Sequence, residues 1–376
     1  MKNDGVLKNE NLNIPNLSVQ EIVQSLAGLY SQAVGMGMPL SSLPTPFLWG
    51  PAGVGKSEGV RQLAQKLEET TGKRVTVTDV RLLLFSPIDL RGIPVPDAEK
   101  QFANWLRPRI FAMDPGADTL NLLFLDELSA APQSVQAAAY QICLDRRVGE
   151  HAFPENCIVI AGGNRTSDKS VAYAMPKALC NRLMHFNVKS DLESWRAWAV
   201  RNRIDARILG YLSFDHSRLC VAPETSDLAY PTPRSWAFAS RLLQATGESP
   251  KKIHHLLAAC LGTDTALALE QWCDVYRELP DVEQILCGTC KTYPSQQQVL
   301  HVLIASLIAV LRERGERLTQ REVDACCAYV SHFPPDFALV FYKDASQLDN
   351  AHALFMCCSV FQHWFSKNKR LMRGNL

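Results

Sequence analysis

The chain has 376 residues, 47% of them hydrophobic, room for two or three globular domains at about 100–200 residues each. Lys and Arg total 39 against 38 Asp and Glu, and a formal net charge of +1 argues against a polyanion-binding surface as the main feature, so nucleic acid is disfavoured as a partner. The polar start MKNDGVLKNENLN lacks the apolar core of a signal peptide, and the most apolar window, residues 299–311, is shorter than the roughly 20 residues a membrane span needs. The expectation is a cytoplasmic protein without membrane contact, whose 12 cysteines are reduced thiols.

Taken in chain order, residues 1–16 read as a flexible tail. Ser18 and Glu21 form an S-x-x-E capping box opening a helix that runs to about Gly35. PFLWG is a short buried strand that ends at a glycine-rich run. SEGVRQLAQKLEETTG follows as an amphipathic helix with Gly72 as its stop. RVTVTDV alternates like a strand. Residues 82–114 read as an insertion with turns and a hairpin. NLLFLDEL is a continuous apolar run suited to a central parallel strand. Residues 132–145 are a helix, CIVIAGGN another buried strand, Lys177–Arg182 a short helix and MHFNV a strand. Strands alternating with helices up to about residue 190 predict an α/β fold with a parallel sheet. Beyond it the pattern is helical, in one block over 191–278 and a second over 279–376, where the window 299–311 forms the core.

The run Gly50, Pro51, Ala52, Gly53, Val54, Gly55, Lys56, Ser57 fits G-x-x-x-x-G-K-[ST]. Its glycines let consecutive backbone N–H groups converge on phosphate oxygens, and the helix that follows presents its positive end. Lys56 then reaches the β- and γ-phosphates and Ser57 ligates Mg²⁺. A glycine-rich turn with a chance lysine is the plain alternative, and the strand–loop–helix context speaks against it. In NLLFLDEL, Asp126 at the strand end is placed to hold Mg²⁺ through water and Glu127 to polarise an attacking water. The same acids after an apolar strand can simply cap a helix.

Two further features follow in order: Asn164 at the end of CIVIAGGNR, and Arg182 in MPKALCNRLMHF, just before the next strand. With GPAGVGKS, PIDLRGIPVPD, LLFLDEL, QAAAYQICLDRRVGE and PTPRSW, the chain resembles the AAA+ ATPases, and within them the MoxR type, over most of residues 20–245. The resemblance implies a P-loop AAA+ domain over 17–190, a helical lid over 191–278 and a C-terminal helical extension over 279–376. It implies ATP and Mg²⁺ as cofactors, hydrolysis to ADP and phosphate, a homo-oligomer in the form of a hexameric ring, a protein client, and a partner with a von Willebrand factor A domain. It makes Asn164 the sensor-1 residue, Arg182 the arginine finger of a neighbouring subunit's site, and Arg234 of PTPRSW the sensor-2 residue. A fixed, always-charged guanidinium suits a phosphoryl group whose charge is spread over its oxygens. Arg165, Arg146 and Arg147 compete with Arg182, and Arg165 stands where many relatives have proline. A nucleotide-gated assembly module and a nucleic-acid-acting or defence ATPase are the alternative functions.

Phe102 and Trp105 in the insertion either contact a client or pin the insertion to its own domain. Cys287 and Cys290 form a lone C-x-x-C, short of the roughly four ligands zinc needs. Gly288 within it suits a helix stop.

Overall fold

The computed structural model describes residues 13–165, 168, 173, 175, 177–224, 227–276, 279–348 and 351–368. They form two units, divided between Asp191 and Leu192. Most of the proposed tail, residues 1–12, lies outside the described residues.

The first unit is an α/β layer structure. Its elements in chain order are β1 (Asn16–Leu17), α1 (Val19–Gly35), β2 (Thr45–Trp49), α2 (Lys56–Thr71), β3 (Arg74–Arg81), α3 (Pro87–Arg91), β4 (Ile93–Pro96), β5 (Ala103–Leu106), β6 (Thr119–Asp126), α4 (Gln133–Asp145), β7 (Arg147–Val148), β8 (His151–Ala152), β9 (Cys157–Gly163), α5 (Lys177–Cys180) and β10 (Leu183–Val188). Six strands form one parallel sheet in the order β1-β10-β2-β9-β6-β3. The strand carrying the glycine-rich run therefore lies inside the sheet, with β9 between it and β6. Every residue of β6 and β9 is buried, which explains their uninterrupted apolar sequences.

Side-chain alternation divides the core between the two faces. Leu120, Leu122 and Phe124 of β6 join Ile22, Leu26 and Tyr30 of α1 and Leu63 and Leu67 of α2. Leu123 and Leu125 face the other way, onto Val135, Ala138, Ala139 and Ile142 of α4. The capping box that opens α1 has both arms: Ser18 Oγ accepts from the Glu21 N–H, and the Glu21 carboxylate accepts from the Ser18 N–H. The insertion holds the expected hairpin, β4 pairing antiparallel with β5.

Two features depart from the sequence reading. Asn16, the last residue assigned to the tail, is sheet: it pairs with Asn187, and the Asn187 N–H donates to Pro15 O. A two-residue strand carries too little periodicity to announce itself. The second unit, Leu192–Leu376, has one core where the sequence suggested a boundary at 278/279. It comprises α6 (Leu192–Arg201), α7 (Ala206–Phe214), α8 (Pro233–Thr246), α9 (His254–Leu261), α10 (Thr263–Tyr276), α11 (Val282–Leu286), α12 (Gln297–Arg314), α13 (Gln320–Val330), α14 (Pro335–Ala345), α15 (His352–Cys357) and α16 (Ser359–Lys367). The apolar window becomes α12, and Leu300, Leu303 and Leu307 share a cluster with Trp236 of α8 and Phe341 of α14. A helix apolar on nearly every side must be surrounded, so the later helices share one core with the earlier helices of this unit. Among the described residues no helix is long and apolar enough to cross a membrane.

Candidate nucleotide site

At the carboxyl edge of the sheet, β2 runs into the glycine-rich loop. Gly53 (φ 83°) and Gly55 (φ 111°) take the left-handed backbone conformation that a side chain would strain. Between them Val54 is buried and anchors the loop to the core. Ala52 at the loop's tip is exposed, and Pro51 is half-buried. The Gly50 N–H donates to Gly163 O (3.2 Å), tying the start of the loop to the end of β9.

Lys56 opens α2 and is only 8% exposed. Its ammonium donates to Gly50 O, to Pro51 O (3.1 Å) and to Asn164 Oδ1 (2.9 Å). Ser57 Oγ donates to Asp126 Oδ2 (2.9 Å), while Asp126 Oδ1 accepts from the Glu127 N–H (2.9 Å). Asp126 is buried and Glu127 half-buried. Glu127 has φ 58° and ψ 31°, a backbone conformation sparsely used by non-glycine residues and enriched at functional sites. The topology explains why these residues meet. With β9 between β2 and β6, the residue leaving β9, Asn164, sits between the lysine of one neighbour and the carboxylates of the other.

The sequence reading missed Ser129. This buried hydroxyl accepts from the Asn164 N–H and donates to Asn164 O, both at 2.9 Å, and so fixes the Asn164 backbone. A Cβ on Gly163 would lie 2.7 Å from Ser129 Oγ, so glycine is required before Asn164. The pair LDELS and AGGN held the signal, but only the fold shows that they touch. Asp79 on β3 was also missed. It shares a face with Asp126 by strand parity. Loss of hydration, and then the charge of Asp126, raise its pKa, with Arg81 and Arg61 opposing.

The arginines separate. Arg146 is buried at the end of α4, and its guanidinium donates to Cys143 O, Leu43 O and Thr45 Oγ1. Burial lowers its pKa. Arg165 pairs with Asp168 (2.8 Å) and donates to Asn187 Oδ1 (2.9 Å). Both are spent inside the chain. Arg147 is exposed, with a long contact to Glu150 O (3.4 Å). Arg182 is exposed in the turn before β10. The next residue, Leu183, pairs with Thr45 at the amino end of β2, five residues before Gly50. That is about 16 Å at ~3.3 Å per residue, so Arg182 stands at the opposite edge of the sheet from its own glycine-rich loop. Arg234 is the exposed second residue of α8 in the helical unit, behind a Thr232–Ser235 capping box.

In the insertion, Phe102 is 72% exposed and Trp105 half-buried, so Phe102 does not pin the hairpin. Cys287 is exposed at the end of α11, and Gly288 follows with φ 74°. Among the described residues no group of three His, Cys, Asp or Glu is placed to hold a metal ion, and all cysteines are free thiols.

No family model and no curated protein matches the chain. Solved structures similar to it include PCH-2 of C. elegans (14% identity, 71% of each chain covered, TM-score 0.35). Others are a RuvB mutant of Thermotoga maritima (15% identity, 78% of this chain and 86% of that one, TM-score 0.33) and NtrX of Brucella abortus (11% identity, 87% and 67%, TM-score 0.33). At these identities and TM-scores the likenesses carry no argument about activity; the geometry of the site has to do so.

Proposed function

We propose that the chain is an ATP-hydrolysing AAA+ motor of MoxR type that remodels or assembles a protein client in the cytoplasm, acting as a hexameric homo-oligomer with a von Willebrand factor A domain partner. The observation that carries the ATPase reading is the convergence of Lys56, Ser57, Asp126 and Asn164 from three strand ends through contacts of 2.9 Å.

The donor set suits the cofactor. A hydroxyl and a carboxylate, Ser57 and Asp126, are hard oxygen ligands appropriate to Mg²⁺. Ser57 and Asp126 would hold Mg²⁺ when it is bound with ATP, and the ion would supply charge neutralisation at the phosphates. The backbone N–H groups of residues 53–57 face the phosphates at the start of α2. Lys56 exchanges the carbonyls of Gly50 and Pro51 for phosphate oxygens. Glu127 orients the attacking water and accepts its proton, and Asn164, fixed by Ser129, places that water. Arg182, too far from its own loop, serves the site of the neighbouring subunit. Arg234 takes the sensor-2 role that the resemblance implies. The exposed hairpin β4–β5, with Ile93, Phe102 and Leu106 facing solvent, is the surface offered to the client.

The test is Glu127→Gln. It should bind ATP as the wild type does and lose turnover by about 10²–10⁴-fold. Hydrolysis at the wild-type rate would refute the mechanism. Addition of DNA or RNA at low salt should leave turnover unchanged; salt-dependent stimulation would favour the nucleic-acid alternative instead.

A further inference from the structure

We infer that Val19, outside the phosphate-binding motif, is a positioning residue for the P-loop; the inference rests on the nucleotide-binding reading above. Val19 is the first residue of α1, and its two methyl groups lie beside Gly55 and Gly59 at the start of α2. A Cβ on Gly59 would lie 3.0 Å from Val19 Cγ1, and one on Gly55 would lie 3.3 Å from Val19 Cγ2. Gly55 needs its glycine for its left-handed backbone. Gly59 has no such need, because it sits inside α2, where glycine is destabilising relative to alanine. The contact with Val19 explains the choice: the absent side chain lets α1 approach the first turn of α2.

Beneath the contact lies an apolar cavity lined by Val19, Ile22, Val23, Leu48, Val60 and Val188. The first turn of α2 therefore rests on Val19 together with the buried core beneath it. Val19 itself is anchored. The Ser18–Glu21 box fixes the turn before it, and Leu17 O accepts from the Lys189 N–H (2.9 Å). Asn16 Oδ1 accepts from Asn187 Nδ2 (2.8 Å), and Asn187 Oδ1 accepts from Arg165 Nη1 (2.9 Å). The chain of bonds thus runs from Arg165, next to Asn164, across β10 to β1 and on to the residue that supports the loop holding Lys56. Arg165 is the near end of this strap. A small displacement of the loop is enough to weaken phosphate binding, since its N–H groups must all point at the same oxygens.

The experiment is a double-mutant cycle on the full chain, read as the dissociation constant of a fluorescent ATP analogue with Mg²⁺. Val19→Ala and Gly59→Ala should each weaken binding about three- to tenfold. Val19→Ala/Gly59→Ala should be no weaker than either single variant, because the new methyl occupies the space the old ones left. Ile22→Ala, in the same helix and cavity, should lower the melting temperature while leaving the dissociation constant unchanged. Penalties that multiply in the double variant, or an Ile22→Ala effect on binding equal to that of Val19→Ala, overturn the inference in favour of general loosening of the core. If the wild type binds and Lys56→Ala does not, such a result leaves the nucleotide reading standing. If the wild type does not bind at all, that reading fails and the inference falls with it.

Discussion

Buried charge is handled in opposite ways in the two units. In the helical unit, Arg196 of α6 and Asp344 of α14, both 6% exposed, bond directly to each other, with Ser213 accepting a further hydrogen bond from the guanidinium. In the sheet unit, Lys56 and Asp126, both 8% exposed, bond to neutral groups: the lysine donates to two carbonyls and an amide, and the aspartate accepts from a hydroxyl and a backbone N–H. A charge bonded to its opposite has completed its electrostatics. A charge that bonds to neutral groups can exchange those bonds for a stronger ligand of opposite sign. Burial alone does not mark a functional charge; the nature of its partners does. The same distinction separates Arg146, buried and spent, from Arg182, exposed at the far edge of the sheet.

Arg182→Ala should lower turnover by about 10³-fold or more while each subunit still binds ATP, as expected for an arginine finger. Arg146→Ala should instead cost stability, since it strips Leu43 O and Thr45 Oγ1 of their donor. Equal loss of turnover in both variants, with both folded, would erase the distinction between them.

Removing one member of the helical unit's ion pair is the next largest effect. Asp344→Ala leaves Arg196 buried without its counter-charge and should destabilise the protein by about 3–5 kcal/mol in denaturant unfolding. The double replacement Arg196→Met/Asp344→Leu should recover most of that loss. By contrast, the neutral replacement Asp126→Asn should spare stability and remove Mg²⁺-dependent ATP binding. If Asp126→Asn proved as destabilising as Asp344→Ala, Asp126 would belong with the structural charges.

A smaller effect comes from His301 on α12, enclosed by the rings of Phe214 and Phe337. Burial and then the charge of Arg196 push its pKa down to about 4. The unfolded chain binds a proton near pH 6.5, before the folded chain does. Stability is therefore full above that pH and is lost as pH falls from about 6.5 toward 4, by on the order of 2 kcal/mol after allowance for partial exposure. His301→Gln should flatten this part of the stability profile and leave ATP binding alone. The smallest effect is at Ser129. Ser129→Ala should reduce turnover about tenfold through Asn164, with little change in ATP affinity.

Much of the site was legible in the sequence because it is carried by short local patterns. The glycine spacing before Lys56 and the carboxylates closing an apolar strand each obey a rule contained within about ten residues. Strand and helix positions in the sheet unit followed from periodicity and from caps such as Ser18 and Gly72. What remained hidden depends on residues far apart in the chain. Ser129 touches Asn164 only because β6 and β9 are neighbours. Val19 meets Gly59 only because α1 lies against α2. The internal use of Arg146 could not be separated from an intersubunit one without knowing that Leu43 and Thr45 lie beside the end of α4. The boundary suggested at 278/279 had a related cause: Leu300, Leu303 and Leu307 look like the core of a separate block until Trp236 and Phe341 are seen beside them.

The central claim is that one site is built from two copies of the chain, with Glu127 from one and Arg182 from the other. The most direct measurement mixes two inactive proteins, Glu127→Gln and Arg182→Ala, and follows phosphate release over a range of total concentrations. Turnover should reappear in the mixture and rise per subunit with concentration, because an interface can then combine an intact Glu127 with an intact Arg182. A mixture as inactive as either parent, with both variants shown to assemble, would contradict the claim.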